Sequence, residues 1–120
     1  MIKIAIVEDE AMYAKQLEEF LHQYEKENGE AFDITIYSDG DQIVNKYQSQ
    51  YDIILMDVEM KFMDGMSAAE EIRKVDTEVV IIFITNMAQY AILSLIHIFL
   101  IRKRRIRKTN TSDVNVTPEV

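Results

Sequence analysis

A doubly wound α/β fold, a parallel sheet with helices on both faces, is what this chain predicts, and three observations predict it. Short apolar runs alternate with stretches of helical period in the order β-α-β-α-β-α-β over residues 2–84. The first, third and fourth runs are almost continuously apolar, as strands buried on both faces have to be. The links between elements are short, so each helix has room only for a crossover to a parallel strand, and right-handed crossovers are expected.

The elements follow in order. Ile2-Lys3-Ile4-Ala5-Ile6-Val7 reads as a strand that stops at Glu8-Asp9-Glu10. From Glu10 to about Glu27, Ala14, Leu17, Leu21 and Tyr24 recur at i, i+3, i+7 and i+10, which is one helix face, and Asn28-Gly29 supplies the stop. Phe32 to Tyr37, with β-branched Ile34, Thr35 and Ile36, is the second strand, broken by Ser38-Asp39-Gly40. A weaker helix follows, with Ile43, Val44 and Tyr47 on one side. Ile53 to Met56 is the third strand, and Asp64-Gly65 marks a turn into a helix from about Met66 to Val75 that buries Ala69 and Ile72. Val79 to Ile84 is the fourth strand, after which Thr85 or Asn86 is placed to cap another helix.

Composition narrows the chemistry. At 120 residues, 48% of them hydrophobic, the chain can bury the core of one domain. It has no cysteine, which excludes disulfides, cysteine-based zinc sites and thiol catalysis, and its two histidines, His22 and His97, argue against a histidine metal cluster. The N-terminus has neither the basic segment nor the cleavable apolar stretch of a signal peptide, so a cytoplasmic location is expected. Residues 1–100 hold 7 basic and 19 acidic side chains, whereas residues 101–120 hold 6 basic and 2 acidic. An acidic body argues against nonspecific nucleic-acid binding by that part.

The parallel topology gives the acidic residues a meaning. All strands point the same way, and binding in such sheets occurs at their carboxyl ends. The first strand ends in Glu8 and Asp9, the third in Asp57, the fourth in Thr85. Three carboxylates brought together repel one another, and a hard divalent cation such as Mg²⁺ relieves that repulsion while keeping positions open for phosphate oxygens. A carboxylate beside Mg²⁺ can then attack a phosphoryl group and become an acyl phosphate, with Thr85 donating a hydrogen bond to it. Taken singly, each residue has a plainer role, as a turn residue, a helix cap or a partner for the positive end of the first helix. Their coincidence on one rim favours the shared site.

The stretches "IAIVEDE", "YDIILMDVEM", "MDGMSAAEEIR" and "IIFITNMAQYAI", in this order and covering about residues 1–92, resemble the receiver domain of bacterial response regulators, particularly receivers that precede LytTR-type DNA-binding domains. The resemblance implies a flavodoxin-like doubly wound parallel sheet of order 2-1-3-4-5. It implies Asp57 as phosphoacceptor and Glu8 and Asp9 as the acidic pair that holds Mg²⁺, Asp9 being the more direct ligand. Glu59 would offer its backbone carbonyl to the metal, Thr85 would be the switch hydroxyl, and Gly65 would open the third helix. The expected partner is a sensor histidine kinase, with receiver–receiver dimerisation as a second mode, DNA contacts only through an output domain outside this sequence, and no membrane partner. The chain would phosphorylate and dephosphorylate itself without being a turnover enzyme.

The chain also departs from the family. Lys61 follows Met60 where the family usually has proline, and no lysine occurs between Lys74 and Lys103 to serve as the cation at the end of a fifth strand. Leu95 to Ile101 as that strand, followed by Lys103, leaves too few residues after Thr85 for a helical crossover, and Arg104 takes the place of the family's proline. Ile92 to Ile101 is too short to span a membrane, and the basic run from Arg102 to Lys108 reads as a solvated tail rather than a nucleic-acid reader. The expectation is therefore a receiver over 1–92, truncated so that the fifth strand and helix are missing or aberrant. Residues 93–120 would be foreign or frame-altered, the fourth strand an apolar edge open to other chains. Two functions compete with phosphoacceptance: a non-phosphorylated pseudo-receiver that only binds protein, and a phosphohydrolase, for which Glu59 would have to act as acid–base and no substrate cap is evident.

Overall fold

The computed structural model describes residues 1–85 and 87–111, with residues 104–111 by their backbone alone. Two compact units emerge, residues 1–89 and the helix from Tyr90 onward.

The first unit is built on four strands, β1 (Ile2–Val7), β2 (Phe32–Tyr37), β3 (Ile53–Met56) and β4 (Val80–Phe83). All pair in parallel in the order β2-β1-β3-β4. Three helices connect them: α1 (Ala11–Asn28), α2 (Gly40–Asn45) and α3 (Gly65–Arg73). The predicted sheet is therefore present with its first four strands in the expected order, and no fifth strand occurs among the described residues.

Strand alternation divides the core in two. Ala5 and Val7 of β1 and Ile54 and Met56 of β3 face Ile43 of α2 and Ala68 and Ile72 of α3. Ile4, Ile6, Ile53 and Leu55 point to the other face, which α1 covers with its buried stripe Ala14, Leu17, Leu21 and Tyr24. Both central strands are wholly buried from Ile4 to Val7 and Ile53 to Met56, and each Ile, Val, Leu or Met side chain among them contributes roughly 1.5–3 kcal/mol of apolar transfer free energy. Gly29 ends α1 in the left-handed conformation (φ 63°), its N–H donating to the Glu25 carbonyl.

Three details differ from the sequence reading. In α3 it is Ala68, not Ala69, that is fully buried, because the helix begins at Gly65 and the 3.6-residue period then carries Ala68 and Ile72 inward together. Thr85 does not cap the next helix, which starts four residues later at Gln89; Asn86 lies outside the described residues. The run Leu95–Ile101, weighed above as a strand, lies inside α4 (Gln89–Thr111), as does Lys103. Ile92, Ile96 and Leu100 recur there every four residues, a helical and not an extended period. Among the described residues no helix is long and apolar enough to cross a membrane.

Candidate functional site

The carboxyl ends of β1 and β3 place the acidic residues. β1 and β3 are adjacent and in register, Val7 opposite Met56, so the residues that follow each strand leave the sheet side by side. Asp57 donates its N–H to the Val7 carbonyl at 2.9 Å, extending the ladder by one residue to the rim. Glu8 donates likewise to the Tyr37 carbonyl of β2 at 3.0 Å. As a result Glu8, Asp9 and Asp57 each present a carboxylate oxygen within 4.8 Å of the others. Glu8 is buried, Asp57 half-buried and Asp9 exposed, so the cluster opens to solvent on one side.

Thr85, just beyond β4, completes the arrangement. Its hydroxyl donates to Asp57 Oδ1 at 2.6 Å, and the Val58 N–H reaches both Asp57 Oδ1 and Thr85 Oγ1 at 2.9 Å. One oxygen of Asp57 thus carries two donors, and Oδ2 keeps its lone pairs. Glu59 is exposed and its carboxylate stands outside the acidic cluster.

Electrostatics follow from that crowding. Burial pushes the Glu8 carboxyl up to about 7; a hydrogen bond from the Glu10 N–H (3.1 Å) works against this, while the Asp57 charge and the hydrogen bond to Asp9 add to it. The Glu10 N–H that Glu8 accepts belongs to the residue just before α1, whose first turn carries no acidic residue. Oxygens around one octahedral Mg²⁺ lie about 3–4 Å apart. Three carboxylate oxygens already within 4.8 Å, with no ion pair to any of them among the described residues, fit such an ion.

The raised Glu8 pKa has a measurable consequence. A carboxyl whose folded pKa exceeds its ordinary value of 4.5 contributes stability that is complete below that value and is lost as pH rises through about 7. With chelator present, the melting temperature is expected to fall between pH 5.5 and 8, an interval on the order of that window, and Glu8→Gln should flatten the fall. Mg²⁺ requires the ionised form, so its affinity should rise over the same window. His22, whose pKa is raised by its hydrogen bond to Glu25, titrates in the same direction and is controlled by His22→Gln. Equal Mg²⁺ affinity at both ends of the window would contradict this account of Glu8.

Some of the site was not foreseen. Ser38-Asp39-Gly40 does more than break the second strand: Asp39 is 3% exposed and accepts the N–H groups of Phe62 and Met63 in the loop that follows Asp57. An Asp-Gly pair at a helix start is a visible cap signal, but nothing local points to partners more than twenty residues away. Gly65, at the head of α3, touches the backbone of Asp57 itself.

Comparison with known proteins gives one consistent answer. Residues 4–96 match the response regulator receiver domain. The chain is 31% identical over 93 residues to the chemotaxis protein CheY of Bacillus subtilis, covering 76% of this chain and 72% of that one. It is 33% identical over 90 residues to a probable transcriptional regulator, ycf27, of Guillardia theta, covering 74% of this chain but only 33% of the length of that protein. Among solved structures, the response regulator TrrA of Thermotoga maritima, in complex with Mg²⁺-BeF, superposes with a TM-score of 0.60 at 30% identity, over 69% of this chain and 68% of that one. TrrA in complex with the histidine kinase ThkA gives a TM-score of 0.59.

Proposed function

This chain belongs to the response regulator receiver domain family, and from that premise we propose that it accepts a phosphoryl group on Asp57 in a Mg²⁺-dependent reaction, with a sensor histidine kinase as donor. The observation that carries the reading is the convergence of Glu8, Asp9 and Asp57 within 4.8 Å, with the Thr85 hydroxyl on Asp57. Glu8, Asp9, Asp57 and the Glu59 carbonyl would hold Mg²⁺, which when bound screens charge between nucleophile and incoming phosphate. Asp57 Oδ2 attacks phosphorus, the bond from phosphorus to the leaving group breaks, and the leaving group departs with its electron pair. The Thr85 hydroxyl then turns from the carboxylate to a phosphoryl oxygen, and the local charge biases a two-state element of the fold. The kinase assignment draws support from the ThkA complex of TrrA, and the Mg²⁺ assignment from the Mg²⁺-BeF complex.

The same reading makes the domain a self-modifying switch rather than a turnover enzyme, cytoplasmic, able to pair with a second receiver, and coupled to a transcriptional output of LytTR type. Residues 97–120 lie beyond the matched receiver pattern. A second reading, a pseudo-receiver that binds protein without being phosphorylated, is favoured by one observation: residues 75–102 contain no lysine to contact the phosphoryl group.

Incubation with acetyl phosphate and Mg²⁺ separates the two. We expect a mass gain of one phosphoryl group, stable to acid, labile to base and abolished by chelator. A protein that binds Mg²⁺ yet never gains that mass is the outcome the second reading requires.

A further inference from the structure

The loop from Val58 to Asp64 runs from the acidic cluster to α3, and it is fastened at two places. Near Asp57, the Val58 N–H is held by Asp57 and Thr85, and the Val58 carbonyl accepts the Gly65 N–H at 2.7 Å. At the far side Asp39 accepts two consecutive amides, Met63 N–H on Oδ1 at 2.8 Å and Phe62 N–H on Oδ2 at 3.0 Å. The chain there also lies flush against Gly40: a Cβ on that glycine would stand 2.5 Å from the Met63 carbonyl oxygen. Glu59, Met60 and Lys61 form the bridge between these fastenings.

Asp39 is more than a cap for α2. Capping needs one acceptor, which serine or asparagine supplies as well as aspartate, and the capping contact itself, from the Asp41 N–H, is long at 3.5 Å. Two successive N–H groups on two different oxygens need a carboxylate. Burying one is costly, and here burial works to raise its pKa while the amides of Phe62, Met63, Asp41 and Gly40 outweigh it and hold the group below the usual carboxylate range. The short contacts go to the loop, so the loop is what the carboxylate serves.

We propose that Asp39 is a positioning residue for cation binding: by fixing the Phe62–Met63 backbone it holds the Glu59–Lys61 bridge, and with it the Glu59 carbonyl, where a divalent cation on Glu8, Asp9 and Asp57 can use it. This rests on the Mg²⁺ site of the preceding reading. The loop has no proline of its own to stiffen it, Lys61 standing where one would do so, which leaves its shape dependent on the tether.

The test is calorimetric titration of the full chain with Mg²⁺ alone, beside amide hydrogen exchange. Asp39→Asn keeps one acceptor and turns an amide N–H toward the Phe62 N–H. Its Mg²⁺ Kd should weaken about tenfold, the lower end for loss of a group that orients metal ligands, and Phe62 and Met63 should lose exchange protection. Asp76→Asn is the control. Asp76 is another buried carboxylate, just past the C-terminal end of α3, accepting from the Glu78 and Val79 amides and the Tyr47 hydroxyl. It should destabilise the fold and leave Mg²⁺ affinity unchanged. If Asp39→Asn does not fold, Asp39→Ser retains the cap and releases the loop, and the same weakening is expected of it. Unchanged Mg²⁺ affinity in the Asp39 variants, or equal weakening in Asp76→Asn, overturns the proposal while the Mg²⁺ site stands; a wild-type chain that binds no Mg²⁺ overturns both.

Discussion

Asp57→Asn is expected to abolish phosphorylation by acetyl phosphate and, in the same protein, to raise the melting temperature measured without Mg²⁺. The first effect follows from removing the nucleophile: an amide oxygen has no charge to direct at phosphorus. The second follows from the crowding. Three carboxylates with oxygens within 4.8 Å repel one another, and the Asp57 charge is one of the causes that raise the Glu8 pKa. Asparagine removes that charge but keeps an oxygen to accept from the Thr85 hydroxyl and the Val58 N–H. Two unit charges near 5 Å at an effective dielectric of about 20 interact by about 3 kcal/mol. Solvent screening on the open side of the site reduces this to roughly 1 kcal/mol, or about 4–8 °C in a domain of this size. Saturating Mg²⁺ should reverse the order, stabilising the wild type more than the variant. Thermal scans with chelator and with Mg²⁺ at pH 8 measure both signs. A variant that melts lower than the wild type under chelator would show that the Asp57 charge holds the rim together rather than straining it.

Much of this rim was legible in the sequence, for a topological reason. Once alternating strands and helices imply a parallel sheet, the residues after every strand must come to one edge, and Glu8, Asp9, Asp57 and Thr85 follow whatever their side chains do. The strands themselves were legible because Ile4–Val7 and Ile53–Met56 are buried on both faces and leave an unbroken apolar run. The stripe on α1 was legible because eighteen residues sample the helical period several times. Short α3, with nine residues, samples it only about two and a half times, so a slip of one position exchanges Ala69 for Ala68. What stayed hidden depends on contacts across the fold. Asp39 and its amide partners are 23 and 24 positions apart. Tyr47 meets Asp76 across 29, so neither pair leaves a local pattern. The apolar run after Ala91 is ambiguous for a different reason: β-branched isoleucines at close spacing suit a strand or a buried helix, and only length and period, both favouring α4, separate them.

Gly65→Ala is expected to destabilise the protein by roughly 2–4 kcal/mol, at or above the usual range for overpacking, and to weaken the acidic site at the same time. Intrinsic propensity argues the opposite sign, since alanine is favoured over glycine inside a helix by about 1 kcal/mol. Sterics decide the matter. A Cβ at Gly65 would stand 2.2 Å from the Asp57 carbonyl oxygen, 2.9 Å from Met56 Cγ and 3.0 Å from the Asp57 carbonyl carbon. Two of these three atoms are backbone, in the residue at the centre of the site, and cannot rotate aside. The Gly65 N–H is also bound to the Val58 carbonyl at 2.7 Å, which holds the head of α3 against that loop. Relief therefore requires the head of α3 or the Asp57 backbone to shift, and either movement displaces the carboxylate from Glu8 and Asp9. Gly29→Ala makes the comparison clean. Gly29 has a positive φ of 63° with nothing within 4 Å of a built Cβ, so its substitution meets backbone strain of about 1–2 kcal/mol without a clash. Chemical denaturation of the two variants should rank Gly65→Ala as the more damaging, and Mg²⁺ titration should separate them further, with Gly29→Ala binding as the wild type does. A Gly65→Ala protein as stable as the wild type would mean that α3 does not start in contact with the Asp57 carbonyl, and the close approach that sets the back wall of the site would have to be abandoned.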